Sequence, residues 1–281
     1  MRRLAMQGNQ DIRDVQRKIL EIMKYVDKLC VDNKIQYFIM GGTALGAIRH
    51  GGFIPWDDDL DIFMTYNEYK KFKSCFEADN SSQYVIQEWS TVPGYLEYAK
   101  VRMNGTTFIE EAFRNRKDLH QGIYIDIMIL HKVPQNICLQ KKTYYEAKFV
   151  TLLALSQRNW VPKTKMQSLA LKLLKIIPCN LVAKKSYKDI YKYDNLQDKY
   201  LYCYWITPAK FNNGLFDRKY FDTDPIRVKF EDTMLFASKY IKEYLTFRYG
   251  NYMQMPSESQ QKASVHALIY DTENDYTKYL A

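Results

Sequence analysis

The chain has 281 residues, of which 47% are hydrophobic and 26% charged, with a formal net charge of +9. This composition excludes a disordered, collagen-like or fibrous polypeptide, and the length is enough for one large domain or two small ones with a buried core. The charge is local: residues 139–200 hold 13 Lys and Arg against 4 Asp and Glu, a net of +9, so the remainder is neutral. A uniformly basic chain points to nucleic acid, whereas a basic segment on a neutral body points to something narrower.

Five cysteines (Cys30, Cys75, Cys138, Cys179, Cys203) are widely spaced with no C-x-x-C pair, so neither a zinc site nor a disulfide framework is expected. Isolated cysteines fit a reducing cytoplasm. The first residues, Met-Arg-Arg-Leu-Ala-Met-Gln, lack the apolar run of a secretory leader, and no stretch has the length of uncharged apolar residues that a membrane span needs.

In chain order, Ile12, Val15, Ile19, Met23, Val26 and Leu29 recur at three- and four-residue steps, predicting an amphipathic helix to Cys30. Ile35–Met40 reads as a strand ended by Gly41-Gly42, and Thr43 is placed to cap a short helix through His50. A second strand is expected near Asp59–Met64 and a helix over Tyr66–Phe76, with Tyr69, Phe72 and Phe76 on its inner side. Tyr84–Trp89, Tyr95–Met103, Thr106–Ile109 and Gly122–Leu130 read as strands. The pattern beyond Pro134 is helical and basic to about Tyr200, then a strand (Val228–Phe236) and a helix (Ser238–Tyr249) close the chain. No repeat or low-complexity tract is present, and the class is α+β, with a sheet built early and helices added late.

The chemical content concentrates between Gly41 and Asp61. On a strand alternate residues share a face, so Asp57, Asp59 and Asp61 point one way while Leu60 and Ile62 enter the core. Carboxylates that close repel one another and protonate unless a cation neutralises them; Mg²⁺ or Mn²⁺, hard ions bound through oxygen, are the natural answer. The alternative, a solvated acidic turn, sits badly with the apolar residues on both sides. Gly41 and Gly42 let backbone N–H groups approach a phosphate at a helix N-terminus, or simply make a tight turn. Asp126 is a lone charge within the apolar run Gly122–Leu130, so it demands either a metal or a salt bridge to a Lys or Arg elsewhere.

The order Gly-Gly-Thr, then Asp-x-Asp, then a third Asp on a later strand resembles the nucleotidyltransferase-fold superfamily. More closely, Gly42-Thr43-Ala44-Leu45-Gly46-Ala47-Ile48-Arg49-His50 followed by Gly52-Phe53-Ile54-Pro55-Trp56-Asp57-Asp58-Asp59-Leu60-Asp61 is similar to the LicD family. That family includes bacterial phosphocholine transferases and, more distantly, the fukutin-related ribitol-phosphate transferases. Tyr98–Arg102, His120–Ile127 and Tyr249–Met253 add to the likeness, which covers Asp11–His131 and resumes over Lys229–His266. Two positions depart from the family pattern: Met128-Ile129-Leu130-His131-Lys132 after the third carboxylate, and Asn251-Tyr252-Met253 where Asp-Tyr-Met is usual.

The resemblance implies a mixed-sheet nucleotidyltransferase-like core over residues 35–132 flanked by helices, a basic helical segment over 139–200 and a C-terminal strand–helix portion over 201–281, all in one catalytic domain. It implies a metal-dependent transferase that moves a phospho-alcohol, phosphocholine above all, from a CDP-linked donor such as CDP-choline to a hydroxyl of a cell-surface glycan, releasing CMP. Lipopolysaccharide, teichoic-acid and capsule precursors are the acceptors in view. Asp59, Asp61 and Asp126 would be the catalytic and metal-binding set. Gly41, Gly42, Thr43, Arg49, His50, Trp56, Asp57, Asp58, Lys100, Arg102 and His120 would be candidates for substrate or phosphate binding.

Several of these carry a second reading. Lys100 and Arg102 alternate on one strand and either clamp phosphate or form a surface strand face. Arg49 and His50 either meet phosphate or favour a helix C-terminus. His120 either touches substrate or is structural, as is His266, and some of the 24 tyrosines either surround a quaternary ammonium or fill the core. Met166, Leu169, Leu173 and Ile176 make an apolar stripe beside Lys165, Lys172 and Lys175, a basic amphipathic helix suited to an anionic membrane, to an anionic polymer acceptor, or to packing with a solvated rim. The enzyme is therefore expected in the cytoplasm, at the inner face of the membrane if that helix docks there. The competing functions are nucleotidyl transfer from an NTP with release of pyrophosphate, and, outside catalysis, nucleic-acid binding; no helix-turn-helix, RNA-recognition or zinc-finger signature favours the latter.

Overall fold

The computed structural model describes residues 11–88, 98–114, 116–156, 164–196, 200–203, 211–257, 261 and 266–280. The N-terminal residues read against a leader, Trp89, and the stretch 95–97 lie outside that set. The described elements are α1 (Ile12–Asp32), β1 (Phe38–Ile39), α2 (Gly41–His50), β2 (Asp61–Thr65), α3 (Tyr66–Asp79), β3 (Tyr84–Gln87), β4 (Tyr98–Met103), β5 (Thr107–Glu110), β6 (Tyr124–Lys132), α4 (Ile137–Ser156), α5 (Lys165–Leu174), α6 (Cys179–Tyr191), β7 (Tyr200–Tyr202), β8 (Leu215–Asp217), β9 (Ile226–Phe230), β10 (Thr233–Ala237), α7 (Ile241–Tyr249) and β11 (Ala267–Asp271).

The main sheet runs β1-β2-β6-β4-β3, with β7 paired alongside the end of β6 and β8 beside it. Within it β2 and β6 are parallel and the other pairs antiparallel. This is the mixed α+β architecture the sequence predicts. Helix α1 begins at an Asp11–Asp14 capping box and buries Val15, Ile19, Ile22, Met23, Val26 and Cys30, the periodic face expected of it. Leu60 just before β2, Ile62, Phe63 and Met64 from β2, and Ile123, Ile125 and Ile127 around β6 join that core. Helices α4 and α6 carry a second apolar cluster of Tyr144, Ala147, Val150, Ala183, Tyr187 and Ile190, joined through Tyr202.

Four expectations change. Strand β1 is only Phe38–Ile39, because only those residues find ladder partners, Phe63 and Ile62. The run Val228–Phe236 is not one strand but the hairpin β9–β10, in which Glu231 adopts φ 53 at a two-residue turn without glycine. Helix α2 begins earlier than predicted: Met40 is its N-cap, and Thr43 lies inside the first turn. Late strands β7 and β8 also extend the early sheet.

Candidate active site

Strand register builds the centre of the site. Asp61 on β2 is paired with Asp126 on β6, and Asp126 with Lys100 on β4, so three charged residues lie in one row across three neighbouring strands. Lys100 Nζ is 2.9 Å from Asp126 Oδ1 and 3.6 Å from Glu110 Oε1, and it sits 3.2 Å from the centroid of the Tyr124 ring. The salt bridge envisaged for Asp126 therefore exists, and Lys100 is the partner. Arg102, two residues along, is 2% exposed; it donates to Gln87 Oε1 and to the Gly122 carbonyl, at 2.5 and 2.8 Å. The surface-face reading fails for both cations, because both are buried.

Residues Asp57–Leu60 precede β2 as an extended segment rather than part of the strand. Its shape is held from three sides. Gln16 Nε2 donates to the Ile54 and Asp57 carbonyls, Thr43 Oγ1 accepts from Asp61 N at 2.9 Å, and Asp126 N donates to the Leu60 carbonyl. The hairpin β9–β10 steadies the preceding loop, with Glu231 Oε1 accepting from Phe53 N and Glu231 N donating to the Gly51 carbonyl.

The glycine pair has a local reason. A Cβ on Gly42 would stand 2.7 Å from Asp57 Oδ2, while Gly41 adopts φ +53 and a Cβ there would stand 3.6 Å from Asp61 Oδ2. The N-terminus of α2 is thus pressed against two carboxylates, where its dipole favours negative charge. Gly41 N itself donates to the Tyr244 hydroxyl at 3.0 Å.

Asp58 turns away from its neighbours. Its carboxylate is buried and accepts from His266 N, His266 Nδ1 and Ala267 N at 2.8–2.9 Å. It therefore anchors the start of β11, and His266 Nδ1 comes within 3.6 Å of Asp59 Oδ2. The hydrogen bond to Asp58 raises His266 to about 9. Strand β11 pairs with β5, so the same small sheet brings both His266 and Glu110 to the centre.

The electrostatics follow from packing four acids together. Burial, then repulsion from Asp59 and Asp58, pushes Asp57 up to about 8. Burial lifts Asp59 to about 6, with His266 pulling back and Asp58 and Asp126 adding repulsion. Asp61 is raised well above the usual carboxylate range by burial and by Asp59 and Asp126; Asp126 is raised by burial despite Lys100. Glu110 goes the other way, because Lys100 and Arg102 more than offset its burial.

Such a set fits a hard divalent cation: every donor is a carboxylate, Lys100 and His266 offset only part of the charge, and Asp126 Oδ1, though 2.9 Å from Lys100 Nζ, is left without a hydrogen bond among the described residues. Among those residues no three His, Cys, Asp or Glu side chains are gathered closely enough to hold an ion, so binding would have to draw the acids together.

Beside the acids opens a cavity of about 560 Å³, lined by Gly42, Arg49, Trp56, Asp57, Tyr249 and Tyr252 among others. Arg49 donates to the Tyr252 and Gln254 carbonyls and bonds His50, whose ring meets Trp56 edge-on; His50 itself is exposed. His120 is engaged elsewhere: Nε2 meets Asn104 Oδ1 at the β4–β5 turn, Nδ1 accepts from Gly122 N, and burial lowers the ring to about 4. The structure thus gathers Gly41, Gly42, Thr43, Trp56, Asp57, Asp59, Asp61, Lys100 and Asp126 at the centre. It assigns Asp58, Arg102 and His120 to bracing contacts. Gln16, Glu110 and Tyr249 have no role in the sequence reading and His266 only a faint one, since contact across tens to hundreds of residues is their only signal.

Residues 34–161 match the family model described as LicD/FKTN/FKRP, nucleotidyltransferase domain. The chain is 28% identical over 256 residues to lipopolysaccharide cholinephosphotransferase LicD of Haemophilus influenzae, an alignment covering 89% of this chain and 94% of that protein. It is 28% identical over 131 residues to the uncharacterized protein RP689 of Rickettsia prowazekii, 47% of this chain and 46% of the other. Over 46 residues it is 41% identical to ribitol 5-phosphate transferase FKRP of Homo sapiens, 16% of this chain and 9% of that protein.

Proposed function

We propose that this chain, whose residues 34–161 match the nucleotidyltransferase domain of the LicD/FKTN/FKRP family model, transfers phosphocholine from CDP-choline to a hydroxyl of a glycan of the lipopolysaccharide kind. The observation that carries the reading is the parallel register of Asp61 with Asp126, on strands separated in sequence by three others yet adjacent in the sheet, beside the Asp57–Asp59 segment. The relative that aligns along most of the chain is named a cholinephosphotransferase of lipopolysaccharide, which supports the alcohol and the acceptor class.

Asp59, Asp61 and Asp126 would hold Mg²⁺ or Mn²⁺. When bound, that ion supplies Lewis-acid neutralisation of the charge that builds on the phosphates. The chain's residues do the remainder. Lys100 fixes the Asp126 carboxylate through a buried pair and keeps it in line with Asp61. The acceptor oxygen forms a bond to the phosphorus that carries choline, the bond from that phosphorus to the CMP oxygen breaks, and CMP departs. The hydroxyl proton passes into the carboxylate cluster, where burial raises the proton affinity of Asp59, Asp61 and Asp126, as a general base requires. Trp56, Tyr249 and Tyr252 give the adjoining cavity aromatic faces, and Asp57 gives it a carboxylate, chemistry suited to a quaternary ammonium.

The test is to incubate the protein with Mg²⁺, a lipopolysaccharide acceptor and either CDP-choline or an NTP. Acceptor-dependent release of CMP supports the reading. Release of pyrophosphate from an NTP, with CDP-choline untouched, would replace it with nucleotidyl transfer.

A further inference from the structure

Helix α5 buries none of its residues. Met166, Leu169, Leu173 and the following Ile176 are 80, 60, 59 and 79% exposed, and Leu181 in the first turn of α6 is 68% exposed. In a soluble domain a run of large apolar side chains this open marks a surface that something else covers. The spacing of the first four puts them in one stripe along one side of the helix.

The charge around the stripe identifies the cover. Between Lys165 and Lys188 there are six lysines and no acidic residue, and all six (Lys165, Lys172, Lys175, Lys184, Lys185, Lys188) are exposed. On the helical wheel Lys165 and Lys172 border the stripe on one side, where long stems lie along apolar surface and ammonium groups reach outward. A second copy of this chain would set lysines against lysines. A soluble polyanion would meet the lysines but has no use for the leucines. An anionic bilayer satisfies both, with lipid tails for the stripe and headgroup phosphates for the lysines.

We infer that α5 and the first turn of α6 dock this protein, lying flat, on an anionic membrane surface. The geometry favours lying over crossing. Among the described residues no single helix is long and apolar enough to span, and α5 and α6 reach that length only together, across a bend of 84°. Helix α6 is also committed to the protein, because Ala183, Tyr187 and Ile190 are buried in the cluster shared with α4. Docking of this kind brings an enzyme to an acceptor carried on lipid, but the inference rests on the surface itself and not on the transfer reaction.

The experiment is co-sedimentation of the full chain with vesicles of phosphatidylcholine alone or mixed with phosphatidylglycerol, needing neither nucleotide nor acceptor. The chain should pellet with the anionic vesicles and be released by salt. The combined variant Leu169→Glu, Leu173→Glu, Ile176→Glu should bind roughly ten-fold or more weakly. Lys165→Gln, Lys172→Gln and Lys175→Gln should each weaken binding to anionic vesicles about five-fold. Because the replaced side chains are already exposed, an unchanged melting temperature verifies the fold of each variant. Equal binding to neutral vesicles, binding untouched by the glutamates, a dimer that the glutamates abolish without any vesicle binding, or binding only to dextran sulfate would each overturn the inference.

Discussion

Replacing one of the clustered acids should stabilise the empty protein while disabling it. Asp59 is raised from the usual 3.8 to about 6, chiefly by burial. A carboxyl that binds its proton more tightly folded than unfolded gives its full stabilising contribution below pH 3.8. That contribution is lost as pH rises through 6. At pH 7.5 keeping Asp59 ionised in the folded chain therefore costs about 3 kcal/mol. The side chain keeps 23% of its surface in solvent, and screening trims the cost to about 2 kcal/mol. Asp59→Asn removes it, and for a domain of this size the melting temperature should rise by about 4 °C. The assay is thermal unfolding at pH 7.5 and pH 4.5 in EDTA, followed by addition of MgCl₂. The variant should melt higher at pH 7.5, and its advantage should shrink to about 1 °C at pH 4.5. Added Mg²⁺ should raise the native protein and leave the variant nearly unmoved. A variant less stable than the native chain at pH 7.5 in EDTA, or an advantage that acidification leaves intact, would refute the electrostatic account.

Four further outcomes follow from the same geometry. Asp61→Asn and Asp126→Asn should each lower turnover by roughly 10²–10⁴ in a steady-state assay of CMP release, as loss of a charge-stabilising group does. Lys100→Met strands the buried Asp126 and Glu110 carboxylates and should cost about 3–5 kcal/mol in urea unfolding, with Asp126→Asn in the same chain restoring part of it. Gly42→Ala should leave the fold standing, since the added Cβ meets only the far end of Asp57, yet lower transfer by displacing that carboxylate; a large loss of stability would contradict this. Trp56→Ala should raise KM for CDP-choline more than it lowers kcat, because the ring lines the cavity beside the acids rather than their row.

The parts of this protein that sequence periodicity governs were legible. The amphipathic spacing of α1, the inward set Tyr69, Phe72 and Phe76 of α3, and the apolar run of β6 around Asp126 each follow from local pattern. Register also sets Asp61 beside Asp126, two of the three carboxylates that the sequence singles out. Partners fixed by tertiary contact were not legible. Nothing near Asp126 announces Lys100, since register alone aligns them. His266 reaches Asp58 across 208 residues. The Glu231 turn carries no glycine or proline, so β9 and β10 read as one strand. The stripe of α5 reads as amphipathic from its spacing, but spacing says nothing about what covers it; among the described residues nothing buries it. His131, one of the departures from the family pattern, proves to be a buried partner of Asp194 that pins the end of β6 to the segment after α6.

³¹P NMR of CDP-choline with the protein, Mg²⁺ and lipopolysaccharide acceptor decides whether this chain transfers phosphocholine. The diphosphate signals should fall as CMP and a new phosphodiester on the acceptor rise in equal amounts, and neither product should form with Asp61→Asn. A phosphodiester that appears equally with the variant, or a diphosphate that stays intact with the native chain while it binds both substrates, would contradict the proposed function.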